Sequence, residues 1–261
     1  SKAAIKVDAV ARLLMNNLLS GVLPLYVVTE YPKSGGTWVG QMVSEYLGVP
    51  FPRNRMPAVT SSVMHCHYLY SPLLKNVICV MRDGRDVMVS SYFHSLFQND
   101  KNSPHLVEKT RSALQFKDYE DVEGNLPLFI EYVFESKMKS KNPFQFTWSQ
   151  FVRSWINRNV SIIKYEDLIA DTVGELSDAL EALMDKVSDQ RRLTEIVEKY
   201  SFSNQSKRQP GQENRASFLR KGVPGDWKEK FTNRACEIFD FYAGEELIEL
   251  GYETDRSWLK R

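Results

Sequence analysis

Residues 31–38, Tyr-Pro-Lys-Ser-Gly-Gly-Thr-Trp, bring a lysine, two hydroxyls and two adjacent glycines together just after an apolar run. Gly35 and Gly36 permit a turn tight enough to aim successive backbone N–H groups at one point. Thr37 and Trp38 then open an amphipathic stretch that runs to Leu47, with Gly48 as its stop. A strand, a glycine turn and a helix N-terminus make an anion cradle, and Lys33 adds a full positive charge. The chemistry implied is binding of a phosphate-like group at Lys33, Ser34, Gly35, Gly36, Thr37 and Trp38. The lysine precedes the glycines, which differs from the nucleoside-triphosphate loop, and no carboxylate at a strand end stands out as a Mg²⁺ ligand. Read alone, the segment is also compatible with a plain glycine turn and a solvated lysine.

Two further segments carry related chemistry. In 76–97 an apolar run ends at Arg82, a turn follows at Asp83-Gly84, and a helical pattern carries Ser90. Ligands of open α/β sheets bind beyond the carboxyl ends of strands, so Arg82 is placed to meet an anion. By itself the same segment reads as a surface ion pair of Arg82 or Arg85 with Asp86, worth little. In 218–231, Arg220, Lys221 and Gly222 form a flexible cationic hook, able to hold phosphate by fork and point charge. Three anion-binding segments in one chain argue against coincidence.

Of the histidines His65, His67, His94 and His105, the first two lie two apart in a strand-like run. Both then point to one face, with Cys66 on the other. A metal-binding pair would need a third ligand, and no Cys or His cluster supplies one at a recognisable spacing. The other reading is a general base at the ligand-binding edge of a sheet. His94 and His105 have no comparable context and default to packing or surface roles.

Taken together, these segments resemble the sulfotransferases of the cytosolic type, which use 3′-phosphoadenosine-5′-phosphosulfate (PAPS) as donor. The family's Pro-Lys-Ser-Gly-x-Thr-Trp pattern is met by Pro32, Lys33, Ser34, Gly35, Thr37 and Trp38. Its arginine–serine spacing is met by Arg82 and Ser90, and its Tyr-Glu-Asp by Tyr165, Glu166 and Asp167. Its Arg-Lys-Gly-x-x-Gly-Asp-Trp-Lys block is met in full by Arg220, Lys221, Gly222, Gly225, Asp226, Trp227 and Lys228. The resemblance implies one domain over residues 1–261 with a P-loop-like sulfotransferase fold. It implies direct transfer of a sulfuryl group to a hydroxyl or amine, without metal, leaving adenosine 3′,5′-bisphosphate (PAP). Ser34 to Trp38 would hold the 5′-phosphate, and Arg82, Ser90 and Arg220 to Gly222 the 3′-phosphate. Trp38, Tyr165, Phe202 and Phe218 would enclose the adenine; core packing is the alternative for each. The family's catalytic histidine falls on His67, with Lys33 meeting charge on the leaving oxygen, and His65 stands where a lysine is usual.

Two other departures matter. Gly36 replaces a threonine of the family loop, removing a hydroxyl while leaving a backbone N–H, so weaker donor affinity is expected. In the family's dimer motif, Lys228, Thr232 and Glu237 are matched, but Asn233 replaces valine. A monomer or weak homodimer follows. The competing functions are a catalytically silent nucleotide-binding protein of this fold and a P-loop-type kinase.

The positioning elements follow from pattern. Strands are expected at 25–29, 62–67, 76–81 and 160–164. Helices are expected at 5–19, 37–47, 86–97, 126–137, 148–157, 172–184, 189–200 and 232–250. Alternation of apolar strands and helices implies an α/β fold with a central parallel sheet. The polar stretch 98–124 reads as a lid, acceptor loop or mobile insertion. An acceptor pocket is expected from 51–61, 68–70, 94–121 and 144–148, which mix aromatic and polar residues without selecting a small molecule. At 261 residues and 43% hydrophobic, the chain has ample material for a core. A net charge of +1 argues against a general binder of polyanions such as nucleic acid, so any basic patch must be local. Three cysteines without paired spacing fit a reducing, cytoplasmic setting, and no apolar run approaches the ~20 residues of a membrane span.

Overall fold

The computed structural model describes residues 2–53, 61–142 and 144–260, with only the backbone of residues 2–9. In chain order the elements are α1 (Lys2–Leu19), β1 (Leu25–Glu30), α2 (Gly36–Leu47), β2 (Ser62–Cys66), β3 (Val77–Met81) and α3 (Gly84–Leu96). There follow α4 (Pro104–Leu114), α5 (Val122–Met138), α6 (Trp148–Trp155), β4 (Ser161–Lys164), α7 (Tyr165–Ala170) and α8 (Thr172–Met184). The rest are α9 (Gln190–Lys199), α10 (Phe202–Ser206), α11 (Trp227–Lys230), α12 (Asn233–Glu249) and a 3₁₀ turn, Arg256–Leu259.

The chain forms two compact units, residues 1–81 with 157–205, and residues 82–156 with 206–261. The first holds a four-stranded sheet in the order β2-β1-β3-β4. All pairings are parallel, with Val28 opposite His65, Val28 opposite Ile78 and Cys79 opposite Ile162. Strands buried on both faces read as continuous apolar runs, which is why β1 and β3 were legible as Leu-Tyr-Val-Val-Thr and Val-Ile-Cys-Val-Met. Val28, Val63, Ile78 and Ile163 pack against Val39, Met42 and Val43 of α2 and Leu176 and Leu180 of α8. That core anchors α2, whose N-terminus follows the glycine turn. The expected α/β fold, a central parallel sheet flanked by helices, is the fold observed.

The second unit is helical and rich in aromatic contacts. Phe134 of α5 stacks on Tyr242 of α12 at 4.7 Å and meets Phe239 edge-on at 5.9 Å. Trp148 packs on Phe239, and its indole N–H donates to the Arg82 carbonyl at 3.2 Å. Arg85 is buried, ion-paired with Asp83 and Glu253, with its guanidinium 3.5 Å above Trp227.

Stretch 98–124 departs from the reading as an insertion. It contains α4, capped by the Ser103 side chain with Pro104 in its first turn, and the start of α5. Asn102 donates to the carbonyls of His94 and Phe97, and Asp100 accepts from the Phe218 N–H at 2.6 Å. The serine cap and proline were local signals for this helix; its largely polar composition, with Thr110 as its buried residue, obscured it. Of the expected acceptor pocket, 54–60 lie outside the described residues. Asn233 is exposed at the first turn of α12. The three cysteines are buried and form no disulfide, and no helix among the described residues is long and apolar enough to cross a membrane.

Candidate functional site

In the first unit the glycine loop leaves β1 and enters α2. Gly35 sits at φ 102° and Lys33 at φ 80°, so consecutive turns use left-handed backbone. For lysine this conformation carries a cost of order 1 kcal/mol, a form of strain that recurs at ligand sites. The Tyr165 ring lies over Gly35, where an added Cβ would fall 2.8 Å from Cδ2. Tyr165 also meets Trp38 edge-on at 6.4 Å, and the Trp38 indole N–H donates to the Tyr200 carbonyl at 2.7 Å. Two expected adenine-binding aromatics are therefore together, beside the loop. Phe202 opens α10, half-buried. Ser34 is fully buried, and its hydroxyl has no hydrogen-bond partner among the described residues. A buried hydroxyl in a strained loop beside Lys33 suits an anionic ligand.

Glu30, the last residue of β1, is the group that residue reading missed. One carboxylate oxygen accepts the Gly36 N–H at 2.7 Å, and the other lies 2.7 Å from His65 Nε2. The Glu30 carbonyl lies 3.0 Å from His67 Nδ1. Burial would push the Glu30 carboxyl up. The His65 hydrogen bond, the charges of His65 and His67 and the Gly36 N–H outweigh it and hold the carboxyl down at about 2. An ionised carboxylate and a carbonyl only accept, so His65 Nε2 and His67 Nδ1 carry protons. When the His67 ring is neutral, its lone pair is then on Nε2.

These contacts correct three expectations. The Gly36 N–H, expected to remain a donor-site ligand, is engaged by Glu30. A carboxylate does stand at a strand end, and it supplies the third group that the histidine pair lacked. Ligand atoms of Glu30, His65 and His67 all lie within 4.8 Å of one another. The two rings meet edge-to-face at 4.9 Å, with His67 just past the end of β2. They differ in access: His65 is 3% exposed and turned to the carboxylate, whereas His67 is half-buried.

The second unit holds Arg82, Ser90 and the 218–228 segment. Arg82 Nη2 lies 3.7 Å from Asp86, which is 1% exposed, so this is no surface pair. Asp86 accepts the N–H groups of Gly225 at 2.6 Å and Trp227 at 2.9 Å, clamping the segment onto α3. Burial, with Asp83 nearby, raises the Asp86 carboxyl against the lowering effect of Arg82 and the two N–H groups. Ser90 is half-buried on α3.

The cationic hook is internally balanced. Arg220 pairs with Asp226 and Glu213, and Lys221 Nζ lies 2.5 Å from Asp226. Burial alone would raise the Asp226 carboxyl, but Arg220 and Lys221 hold it down. Burial alone would lower Lys221, and Asp226 and Glu229 raise it. Gly222 turns the chain at φ 69°. Phe218 meets His94 edge-on at 6.0 Å, and Arg220 lies over Phe93 at 4.5 Å. Asp226 was visible only as a motif letter, and Asp86 only as a local partner of Arg82 or Arg85; nothing local marked Asp86 as the acceptor for Gly225 and Trp227.

The model of the family "Sulfotransferase domain" matches residues 49–251. That stretch holds the histidines, Arg82, Ser90 and the 220–228 block, and begins beyond the glycine loop. Sulfotransferase 1E1 of Cavia porcellus is 23% identical, the alignment covering 85% of this chain and 82% of that protein. The 3-alpha-hydroxysteroid sulfotransferase of the same species is 26% identical, over 82% and 80%. Among solved structures, mouse sulfotransferase SULT7A1 complexed with PAP has a TM-score of 0.60 at 19% identity, covering 97% of this chain and 95% of that one. Retinol dehydratase with androsterone and PAP gives 0.55 at 16%, covering 87% and 81%. The family model spans most of the chain, over the same residues whose side chains build the histidine pair and the cationic segment, and the protein belongs to the sulfotransferase domain family.

Proposed function

We propose that the chain moves a sulfuryl group from PAPS to the hydroxyl of a small-molecule acceptor, with His67 as general base and Lys33 opposite the leaving oxygen. The observation that carries the assignment is the Glu30 carbonyl on His67 Nδ1, which places the lone pair of the neutral ring on Nε2, at a half-buried position. His65 is the poorer candidate, being buried with its Nε2 on a carboxylate.

The residues fit a bisphosphorylated donor. Lys33, Ser34, Gly35, Thr37 and Trp38 would hold the 5′-phosphate, with the buried Ser34 hydroxyl as a ready ligand. Arg82, Ser90, Arg220, Lys221 and Gly222 would hold the 3′-phosphate, whose charge would compete with Asp226 for the hook. Trp38, Tyr165, Phe202 and Phe218 would border the adenine. The solved structures similar to this chain hold PAP, and retinol dehydratase is seen with androsterone or with retinol, which supports a nucleotide donor and a small hydroxylated acceptor here.

In the transfer, an acceptor oxygen forms a bond to sulfur as the bond from sulfur to the phosphate oxygen breaks. His67 Nε2 takes the acceptor proton, and Lys33 meets the charge that builds on the departing oxygen. No covalent enzyme intermediate is required. Residues 1–261 would act as a single transferase domain, monomeric or weakly dimeric, in the cytoplasm.

The test is release of PAP from PAPS across a panel of phenols, steroid alcohols and sugars. His67→Ala should lower turnover by ~10²–10⁴-fold with PAP affinity nearly intact, and His65→Ala should cost less. Greater loss in His65→Ala would reverse the assignment; no turnover with any acceptor, alongside tight PAP binding, would favour a silent nucleotide binder.

A further inference from the structure

We infer that Glu30 is a positioning residue that ties the donor loop to His65 of β2 and to His67 just beyond that strand, an inference that rests on the reading of His67 as base. One residue makes all three connections: its carboxylate to Gly36 N–H and His65 Nε2–H, and its carbonyl to His67 Nδ1–H. It is 4% exposed, so water does not compete for these bonds.

Gly36 is explained by the same side chain. A Cβ there would fall 2.8 Å from Glu30 Cδ and 2.9 Å from Cγ. The φ of Gly36 is not positive, so its backbone does not demand glycine. What demands glycine is the carboxylate packed against it. Gly36 and His65 are also two positions where this chain departs from the family pattern described above, and the Glu30 carboxylate touches both. The departures are therefore one local rearrangement: a carboxylate enters beneath the loop, a glycine makes room for it, and an imidazole donates to it.

The arrangement constrains the base. Among the described residues His65 Nδ1 is buried without a hydrogen-bond partner, so Glu30 is the contact that sets this ring's tautomer. His65 meets His67 edge-to-face at 4.9 Å, so the orientation of one ring limits the other. In Glu30→Gln the amide oxygen still accepts the Gly36 N–H, while the amide NH₂ faces His65 and turns its tautomer over.

The test has a steric arm and a catalytic arm. In urea unfolding, Gly36→Thr should sharply lower stability in the wild-type background and far less in Glu30→Ser, where the space is open. That coupling reads the packing whether or not the protein transfers sulfate, so it separates failure of this inference from failure of the functional reading. Equal losses in the two backgrounds would overturn the inference. Should Gly36→Thr not fold, Gly36→Ala serves the same cycle, and ring ¹⁵N spectra of the wild type test it without mutation: His65 should carry Nε2–H and neutral His67 should carry Nδ1–H. The opposite tautomer at either ring overturns it. In turnover, Glu30→Gln should lower kcat ~10-fold with PAP affinity changed less than ~3-fold. A loss confined to PAP affinity would make Glu30 a loop-packing residue only and overturn the positioning role. Zn²⁺-dependent activity in wild type that Glu30→Gln abolishes would make the trio a metal site and overturn it equally.

Discussion

Glu30→Gln should reveal its missing charge as a pH-dependent loss of stability. The buried carboxyl is held at about 2 against an ordinary 4.5. A folded-state value below the unfolded one means that folding favours the ionised form. The stabilisation is then fully present above pH 4.5 and is lost as pH falls from 4.5 toward 2. The difference is about 2.5 pH units, which at ~1.4 kcal/mol each is about 3 kcal/mol. Glutamine keeps the shape and one hydrogen bond but has no charge to titrate. Urea unfolding of wild type and variant at pH 7, 5, 4 and 3 should show a gap of about 3 kcal/mol at neutral pH that narrows steadily below pH 4.5. Comparing the two proteins at each pH removes the contribution of other carboxylates they share. A gap that stays constant down to pH 3, or no gap at pH 7, would refute the view that Glu30 is an ionised, strongly coordinated carboxylate.

Calorimetry should find PAP bound much more tightly than adenosine 5′-phosphate, because Arg82, Arg220 and Lys221 answer a 3′-phosphate; equal affinity would remove that site. Turnover should persist in excess EDTA, and Lys33→Met should cost ~10²–10³-fold, as for a lost transition-state donor; restoration by added Zn²⁺ or Mg²⁺ would instead point to Glu30, His65 and His67 as ligands. Asp86→Asn should lower PAP affinity ~10-fold or more by releasing Gly225 and Trp227, since one charge-assisted bond is worth ~2 kcal/mol; unchanged affinity would show that the clamp does not position the hook.

Much of this protein was legible along the chain. The loop at 33–38, the arginine ending a strand and the 220–228 block each lie within a short span, where glycine, charge and apolar period act on neighbouring residues. The strands were legible because a parallel sheet buried on both faces requires unbroken apolar runs, and α2 because Gly48 stops it. Helix α4 was missed although Ser103 and Pro104 marked its start, because a helix this polar reads as a surface stretch. The acidic partners were beyond reach of any local rule. Glu30 meets His65 across 35 positions, and Asp86 meets Gly225 across 139. Nothing in the residue types says which carboxylate will find which donor. That choice depends on strand register and on how α3 packs, which place charged groups together out of water, where an unpartnered one would be costly. The sequence by itself therefore determined the anion-binding segments and the sheet that carries the loop. Only tertiary structure decided that a carboxylate would sit beneath that loop and take the Gly36 N–H, and that the same residue's carbonyl would face His67 Nδ1.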